Sequence, residues 1–305
     1  MTLTVEEMTE LQHYPVMCQE SIDLLSITKA KIIVDCTMGT GSHALRFLEV
    51  MRKDSFYIGI DRDEESLRLS RERLKAYEGR FVLIKDDFYH LERALASIGI
   101  KSADVFFFDL GISMYQLANT ERGFSFLKPG PLDMRMDREN FLCAADLVNN
   151  LSEIELAGIF FKFGEERYAR KIARYIINAR NRRPFSTTLE LSNAVISAIG
   201  FGCHSSRIHP ATRVFQALRI AVNRELEALP KGIVTAVNSL SPSGRIGVIS
   251  FHSLEDRIVK HTFREKSSLN KIKIITKRPL TPQDQEKQEN PPSRSAKFRV
   301  AENSY

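Results

Sequence analysis

Cysteine is scarce in this chain. Four residues in 305 (Cys18, Cys36, Cys143 and Cys203) lie far apart, with no Cys-x-x-Cys pair. That spacing signals neither a zinc site nor a disulfide framework, and it fits a reducing cytoplasm. Long apolar runs are missing too. The densest, Val105-Phe106-Phe107-Phe108, is strand-sized, far short of the ~18 residues that cross a bilayer, so an integral membrane protein is not expected. The opening Met-Thr-Leu-Thr-Val-Glu-Glu is acidic and has neither an apolar core nor an Arg-rich amphipathic pattern. It reads as neither a secretory signal nor a transit peptide. There is no internal repeat. No Gly-x-Ser-x-Gly elbow follows a strand, which argues against Ser-His-Asp hydrolysis.

What is present suffices for a large core: 43% hydrophobic residues against 27% charged, outside the disordered range. At 305 residues the chain is roughly twice a usual single domain, so two units are expected. The net charge of +6 (44 basic, 38 acidic) is unevenly spread. Residues 257–305 hold 12 Lys/Arg and 5 Asp/Glu, or +7, leaving 32 against 33 on the other 256 residues. A basic end on a neutral body points either to a polyanion contact or to a solvated tail.

The first hundred residues alternate strand and helix. Strands are expected over 31–35, 55–61, 81–85 and 103–109, with helices after each of the first three. Continuous apolar strands between amphipathic helices mean a parallel sheet covered on both faces, a doubly wound α/β domain. After Gly111 the rhythm breaks. Residues 113–140 read as a loop with two glycine clusters, Arg122-Gly-Phe-Ser-Phe126 and Gly130-Pro-Leu-Asp-Met-Arg-Met-Asp137. From Ser152 the pattern is helical: Ala169, Ile172, Ala173, Ile176 and Ile177 share one face, while Arg167, Arg170, Lys171 and Arg174 read as a solvated one. Thr187-Thr-Leu-Glu190 is a capping box. Sheet character returns over 244–251, 271–276 and 296–301, the last two joined by a polar loop over 281–295. The expected organisation is a discontinuous sheet domain, 1–111 and 213–305, split by an inserted helical domain, 112–212.

Two positions carry chemistry. Gly39-Thr-Gly41-Ser-His-Ala44 follows the first strand as a G-x-G-x-x-G/A turn, and Asp61 ends the second strand twenty residues beyond Gly41. A carboxylate so placed accepts both hydroxyls of a ribose. This is either an adenosine-cofactor site or a structural turn, and the spacing does not separate NAD from S-adenosylmethionine. Asp87-Phe88, after the third strand, is placed to meet an adenine. Asp109 emerges from the fourth strand where open α/β sheets bind ligands, to act there or to bond a neighbouring loop.

Longer blocks are more specific. They include Asp109-Leu-Gly-Ile-Ser113, Glu121-Arg-Gly-Phe-Ser-Phe126, Gly130 to Asp137, Gly164-Glu-Glu-Arg167, His209 to Ile220, Val248 to Lys260 and Ser293 to Lys297. On these blocks, from His13-Tyr-Pro-Val16 to Ala301-Glu302, the chain resembles the MraW/RsmH family of S-adenosylmethionine-dependent 16S ribosomal RNA cytosine-N4 methyltransferases. The resemblance implies a class I (Rossmann-like) methyltransferase sheet with an inserted helical substrate-recognition domain. It also implies methyl transfer to the exocyclic N4 of a cytidine at the decoding region of the small subunit. Cofactor contacts carry over to Gly41, Ser42, His43, Asp61, Phe88, Asp109 and Gln116. Ser42 stands where the family usually has glycine, and Ser113-Met-Tyr-Gln116 replaces a common Ser-Ser-Pro-Gln.

Asp109, the carbonyls of Leu110 and Gly111, and Ser113 are the expected acceptors for the target amine. Tyr115, Phe124 and Phe126 serve either to stack on a flipped base or to pack. Arg135, Arg138, Arg213 and His252 are expected at the RNA, with ion pairs to Asp133, Asp137 and Glu255 as the alternative. No metal or membrane is expected, the location is cytoplasmic, and a homodimer is left open. The competing functions are an NAD-dependent oxidoreductase, which would explain the turn and Asp61 but not the basic end, and a non-catalytic ribosome-assembly factor.

Overall fold

The computed structural model describes residues 15–200 and 209–305. The opening heptapeptide, His13, Tyr14 and Cys203 lie outside the described residues. Along the chain run α1 (Cys18–Leu24), β1 (Ile32–Asp35), α2 (Ser42–Val50), β2 (Phe56–Asp61), α3 (Glu64–Arg73), β3 (Phe81–Lys85), α4 (Leu91–Ser97) and β4 (Ala103–Asp109). Helices α5 (Met114–Ala118), α6 (Ala144–Asn150), α7 (Glu153–Gly164), α8 (Ala169–Arg180), α9 (Thr188–Ile199) and α10 (Thr212–Asn223) follow. The chain closes with α11 (Glu225–Asn238), β5 (Leu240–Ser250), α12 (Ser253–Ser268), β6 (Ile272–Ile274), α13 (Asp284–Glu289) and β7 (Lys297–Asn303).

The seven strands form one sheet in the order β3-β2-β1-β4-β5-β7-β6. The first five in that order are parallel, and β7 runs antiparallel between β5 and β6. This is the doubly wound class I arrangement that the resemblance implies. β4 shows why no polar alternation marks these strands. Val105 and Phe107 enter one core with Ile33, Phe47 and Tyr57; Phe106 and Phe108 enter the other with Leu91, Leu229 and Ile233. A central parallel strand has no wet face, and each such side chain contributes roughly 1.5–3 kcal/mol by leaving water.

The described residues fall into two compact units: 15–113 with 226–305, and 114–225. The helical unit therefore takes in α10, which the sequence pattern assigned to the sheet domain. Its core comes from one apolar stripe per helix, among them Leu156 and Phe160 of α7, Ile172 and Ile176 of α8, and Leu218 of α10. Its long loop is closed by Arg122, whose guanidinium is fully buried and donates to the carbonyls of Arg135 (3.1 Å) and Met136 (2.8 Å). Gly123 has φ +70°, and a Cβ there would lie 2.1 Å from the Pro131 carbonyl oxygen. The two glycine clusters are thus two sides of one backbone clamp.

The basic end of the chain is not a tail. It forms α12, β6 and β7, and Asp256 accepts from Arg299 Nε at 2.6 Å and lies 3.3 Å from Lys297 Nζ. A charge count begun at residue 257 leaves out that carboxylate by one position. The segment 281–295, expected as a plain loop, contains α13 and a 3-10 turn, Pro291–Ser295. Asp-Gln-Glu-Lys-Gln-Glu has no apolar residue from which a helical period could be read.

Candidate functional site

The first turn is built on buried carboxyls. Asp35 ends β1 almost wholly buried, accepting from the Tyr57 hydroxyl (2.7 Å) and the Thr37 N–H (3.0 Å). Burial dominates and pushes its carboxyl up to about 6. Gly39 and Gly41 have φ +51° and +80°, the left-handed region that favours glycine. A Cβ on Gly41 would also crowd Met38 Cε (3.2 Å) and Ser70 Oγ (3.3 Å). Gly41 caps α2, whose free N–H groups open into the turn. Ser42 Oγ accepts from Arg73 Nη1, so the serine at this unusual position is held by a cation on α3.

Asp61 joins β2 to the same turn. Its Oδ2 accepts the Gly39 N–H (2.7 Å) and its Oδ1 the Asp63 N–H (2.9 Å). Each carboxylate oxygen has capacity for one further donor, which is what a ribose 2′,3′-diol requires. Burial again dominates, holding this carboxyl at about 6. The turn and Asp61 fit an adenosine-type cofactor.

Asp109 ends β4 and is bonded to the same turn. Its N–H donates to Thr37 Oγ1 (2.6 Å), and its Oδ2 is 3.4 Å from His43 Nδ1. His43 Nε2 lies 3.0 Å from the Val16 carbonyl oxygen. A carbonyl only accepts, so Nε2 carries the hydrogen and Nδ1 is the nitrogen turned to Asp109. The imidazole is clamped against Phe107 and Phe47 (centroids 4.8 and 5.8 Å). Asp109 Oδ1 is buried with no hydrogen-bond partner among the described residues. A buried acceptor left open at a strand end is a place for a ligand donor. Burial, then the carboxyls of Asp35 and Glu255, raise Asp109 well above the ordinary carboxylate range.

Glu255 follows β5 in the first turn of α12. Its Oε2 accepts the N–H groups of Phe251 (2.8 Å) and His252 (3.3 Å), and His252 Nδ1 accepts the Glu255 N–H (3.3 Å). His252 Nε2 approaches Glu255 Oε1 at 3.2 Å but not in hydrogen-bond geometry. Three carboxyls thus stand at the C-terminal ends of β1, β4 and β5. The group has no metal-site geometry among the described residues.

The structure joins Gly41, Ser42, His43, Asp61 and Asp109 in the sheet unit, with His252 beside Glu255. Phe88 is there too, its ring buried edge-on to Phe108 (5.8 Å) with the Arg62 guanidinium over it (5.6 Å). Ser113 ends this unit half-buried. Gln116, Arg135, Arg138 and Arg213 belong to the helical unit. Gln116 and Tyr115 are buried in α5. Arg135 pairs with both oxygens of Asp133 (2.8 and 2.7 Å) and donates to the carbonyls of Arg138 (3.1 Å) and Asn140 (2.7 Å). Arg138 and Arg213 are exposed, each donating once to a backbone carbonyl. Phe124 is buried, and Phe126 stacks on His209 (4.7 Å) and meets Phe215 edge-on (5.0 Å).

Sequence reasoning passed over Asp35 and Thr37 and gave Glu255 only as an ion-pair partner. The rule that found Asp109, an acid ending a buried apolar strand, also picks out Asp35. Glu255 carries the signal of a capping box after a strand.

The chain matches the family described as the MraW methylase family over residues 10–304. It is similar to the ribosomal RNA small subunit methyltransferase H of Persephonella marina, 46% identical over 291 residues, covering 95% of this chain and 99% of that protein. Its counterpart of the same name from Geobacter sulfurreducens is 46% identical over 305 residues, covering 95% and 98%. That of Halothermothrix orenii is 44% identical over 307 residues, covering 96% and 98%.

Proposed function

The chain belongs to the MraW methylase family, and on that footing we propose that it transfers the methyl group of S-adenosylmethionine to the exocyclic N4 of a cytidine at the decoding region of small-subunit (16S) ribosomal RNA. The observation that carries the reading is that Asp61, whose oxygens can each take a ribose hydroxyl, and Asp109, whose Oδ1 is open, are both bonded to the turn 37–39. Membership in a methylase family removes the reason for the nicotinamide alternative, since both cofactors present the same ribose to Asp61.

When bound, S-adenosylmethionine supplies an electrophilic methyl on a positively charged sulfur. The chain's task is to position and deprotonate the nucleophile. The N4 lone pair of cytidine is delocalised into the ring. Asp109 Oδ1 accepts one N–H of that amine, favouring a pyramidal nitrogen aimed at the methyl carbon. The carbonyls of Leu110 and Gly111 and the Ser113 hydroxyl are further acceptors on the same strand end. As the N–C bond forms, the S–CH3 bond would break with its electron pair staying on sulfur as S-adenosylhomocysteine, and the cationic nitrogen sheds a proton that Asp109 takes at Oδ1. His43 Nδ1 lies 3.4 Å from Oδ2 on the other side of the carboxyl, which leaves Oδ1 as the oxygen open to the substrate. Gly41, Ser42 and His43 let the backbone approach the cofactor, with Phe88 at the adenine. The helical domain, which carries Gln116, Arg138 and Arg213, recognises the substrate. Arg135 shapes the loop that carries Arg138.

Labelled methyl transfer to small ribosomal subunits, followed by nucleoside analysis, tests this. Label in N4-methylcytidine is expected. Label in another nucleoside would reject the N4 assignment. Binding of S-adenosylhomocysteine without any transfer would favour the non-catalytic assembly factor.

A further inference from the structure

From Arg167 to Arg183, helix α8 and its ends carry charge of one sign only, with Glu165 and Glu166 of the preceding turn just outside that stretch. Residues 167–183 contain seven Lys or Arg and no Asp or Glu. The structure sorts this segment cleanly. Ala169, Ile172, Ala173 and Ile176 are buried, while Arg170, Lys171, Arg174 and Tyr175 are exposed on the opposite side. Arg167 and Tyr168 extend that side one turn back, and Arg182 and Arg183 lie just beyond the other end.

Compensation is sparse. Arg174 meets Glu153 (3.2 Å), and Arg183 lies 3.4 Å from Glu190. Arg167, Arg170 and Arg182 have no ion-pair partner among the described residues. In the basic C-terminal segment, Asp256 is shared by Lys297 and Arg299.

Two tyrosines interleave the cations. Tyr168 and Tyr175 are 42% and 40% exposed and stand seven residues apart, two helical turns, on one side of the helix. Cations at close spacing suit a phosphate backbone, and exposed aromatic rings offer π-faces to unpaired bases. A second copy of the chain fits poorly, since a two-fold contact would set this face against an identical positive one.

We propose that this outer face of α8 binds the RNA substrate away from the reacting nucleotide, with Arg167, Arg170 and Arg182 on phosphates and Tyr168 and Tyr175 stacked on unpaired bases. The proposal rests on the reading that the chain acts on RNA.

The test uses the full chain and a single-stranded fragment of small-subunit ribosomal RNA, with affinity measured by fluorescence anisotropy over a KCl series. The triple variant R167Q/R170Q/R182Q is expected to lower the slope of log K against log[KCl] by about 2. Tyr168→Ala and Tyr175→Ala are each expected to weaken binding about 5- to 100-fold with the slope unchanged. An unchanged far-ultraviolet circular dichroism spectrum and an unchanged thermal transition of the helical unit certify folding of the variants. A triple variant with the wild-type slope overturns the proposal, as does a change confined to self-association in sedimentation. If wild-type protein methylates small subunits and the variants match its salt dependence, only the surface assignment falls. If wild-type protein binds no RNA at any salt, the proposed function falls with it.

Discussion

In the proposed reaction Asp109 is the proton acceptor, and its neighbours act on it in different ways. Burial and the carboxyls of Asp35 and Glu255 disfavour its charged form, while His43 Nδ1 and the Thr37 hydroxyl fix its position. A base whose pKa is raised accepts a proton more readily but is available only above that pKa. The rate of methyl transfer is therefore expected to rise with pH through the Asp109 titration. In Glu255→Gln one repelling carboxyl is gone and an acceptor for the Phe251 N–H remains, so the acidic limb of kcat/KM should move to lower pH. A limb that stays in place would remove Glu255 from this role. Asp109→Asn keeps an acceptor oxygen but cannot take a proton. Its single-turnover rate should fall by roughly 10²–10⁴, with calorimetric affinity for S-adenosylhomocysteine within a few-fold of wild type. Undiminished turnover would sink the assignment.

At the scale of elements, the turn from β1 into α2 hangs on Asp35, which ties the Thr37 backbone to the Tyr57 ring on β2. Folding raises this carboxyl from 3.8 to about 6. Between those values the native state holds a proton that the unfolded chain has released, so stability falls as pH rises through that interval and levels off above it. In Asp35→Asn the decline in unfolding free energy from about pH 4 to about pH 6 should be shallower by up to about 1.4 kcal/mol per pH unit. Asp61 keeps part of the slope. Urea unfolding across that range would show it, and an unchanged slope would mean Asp35 is ionised throughout. The elements most legible beforehand are β3 and β4, whose bounds match the apolar runs. The least legible are α5 and α13, too short or too polar for a period. Arg122 was unreadable in another way, because a buried cation satisfied by backbone carbonyls has no signature in its own sequence neighbourhood.

The described residues form two compact units, so calorimetric unfolding should depart from a single two-state transition. S-adenosylhomocysteine at about 100 times its Kd adds about 2.7 kcal/mol to the state that binds it. With Gly41, Asp61 and Asp109 all in the sheet unit, the transition of that unit should move upward, and NAD should leave it in place. A shift confined to the helical unit's transition would contradict the site. By itself, the sequence determined the α/β class, the glycine turn, Asp61 and Asp109, because period, apolar runs and strand-end acids are local properties of the chain. Only the tertiary structure decided which charges act. It drew Lys297 and Arg299 to Asp256, set Glu153 against Arg174 while leaving Arg170 of the same helix without an ion pair among the described residues, and turned His43 toward an open carboxyl. Charge balance and hydrogen-bond satisfaction depend on partners brought close by folding, and those partners can be dozens to hundreds of residues away in the chain.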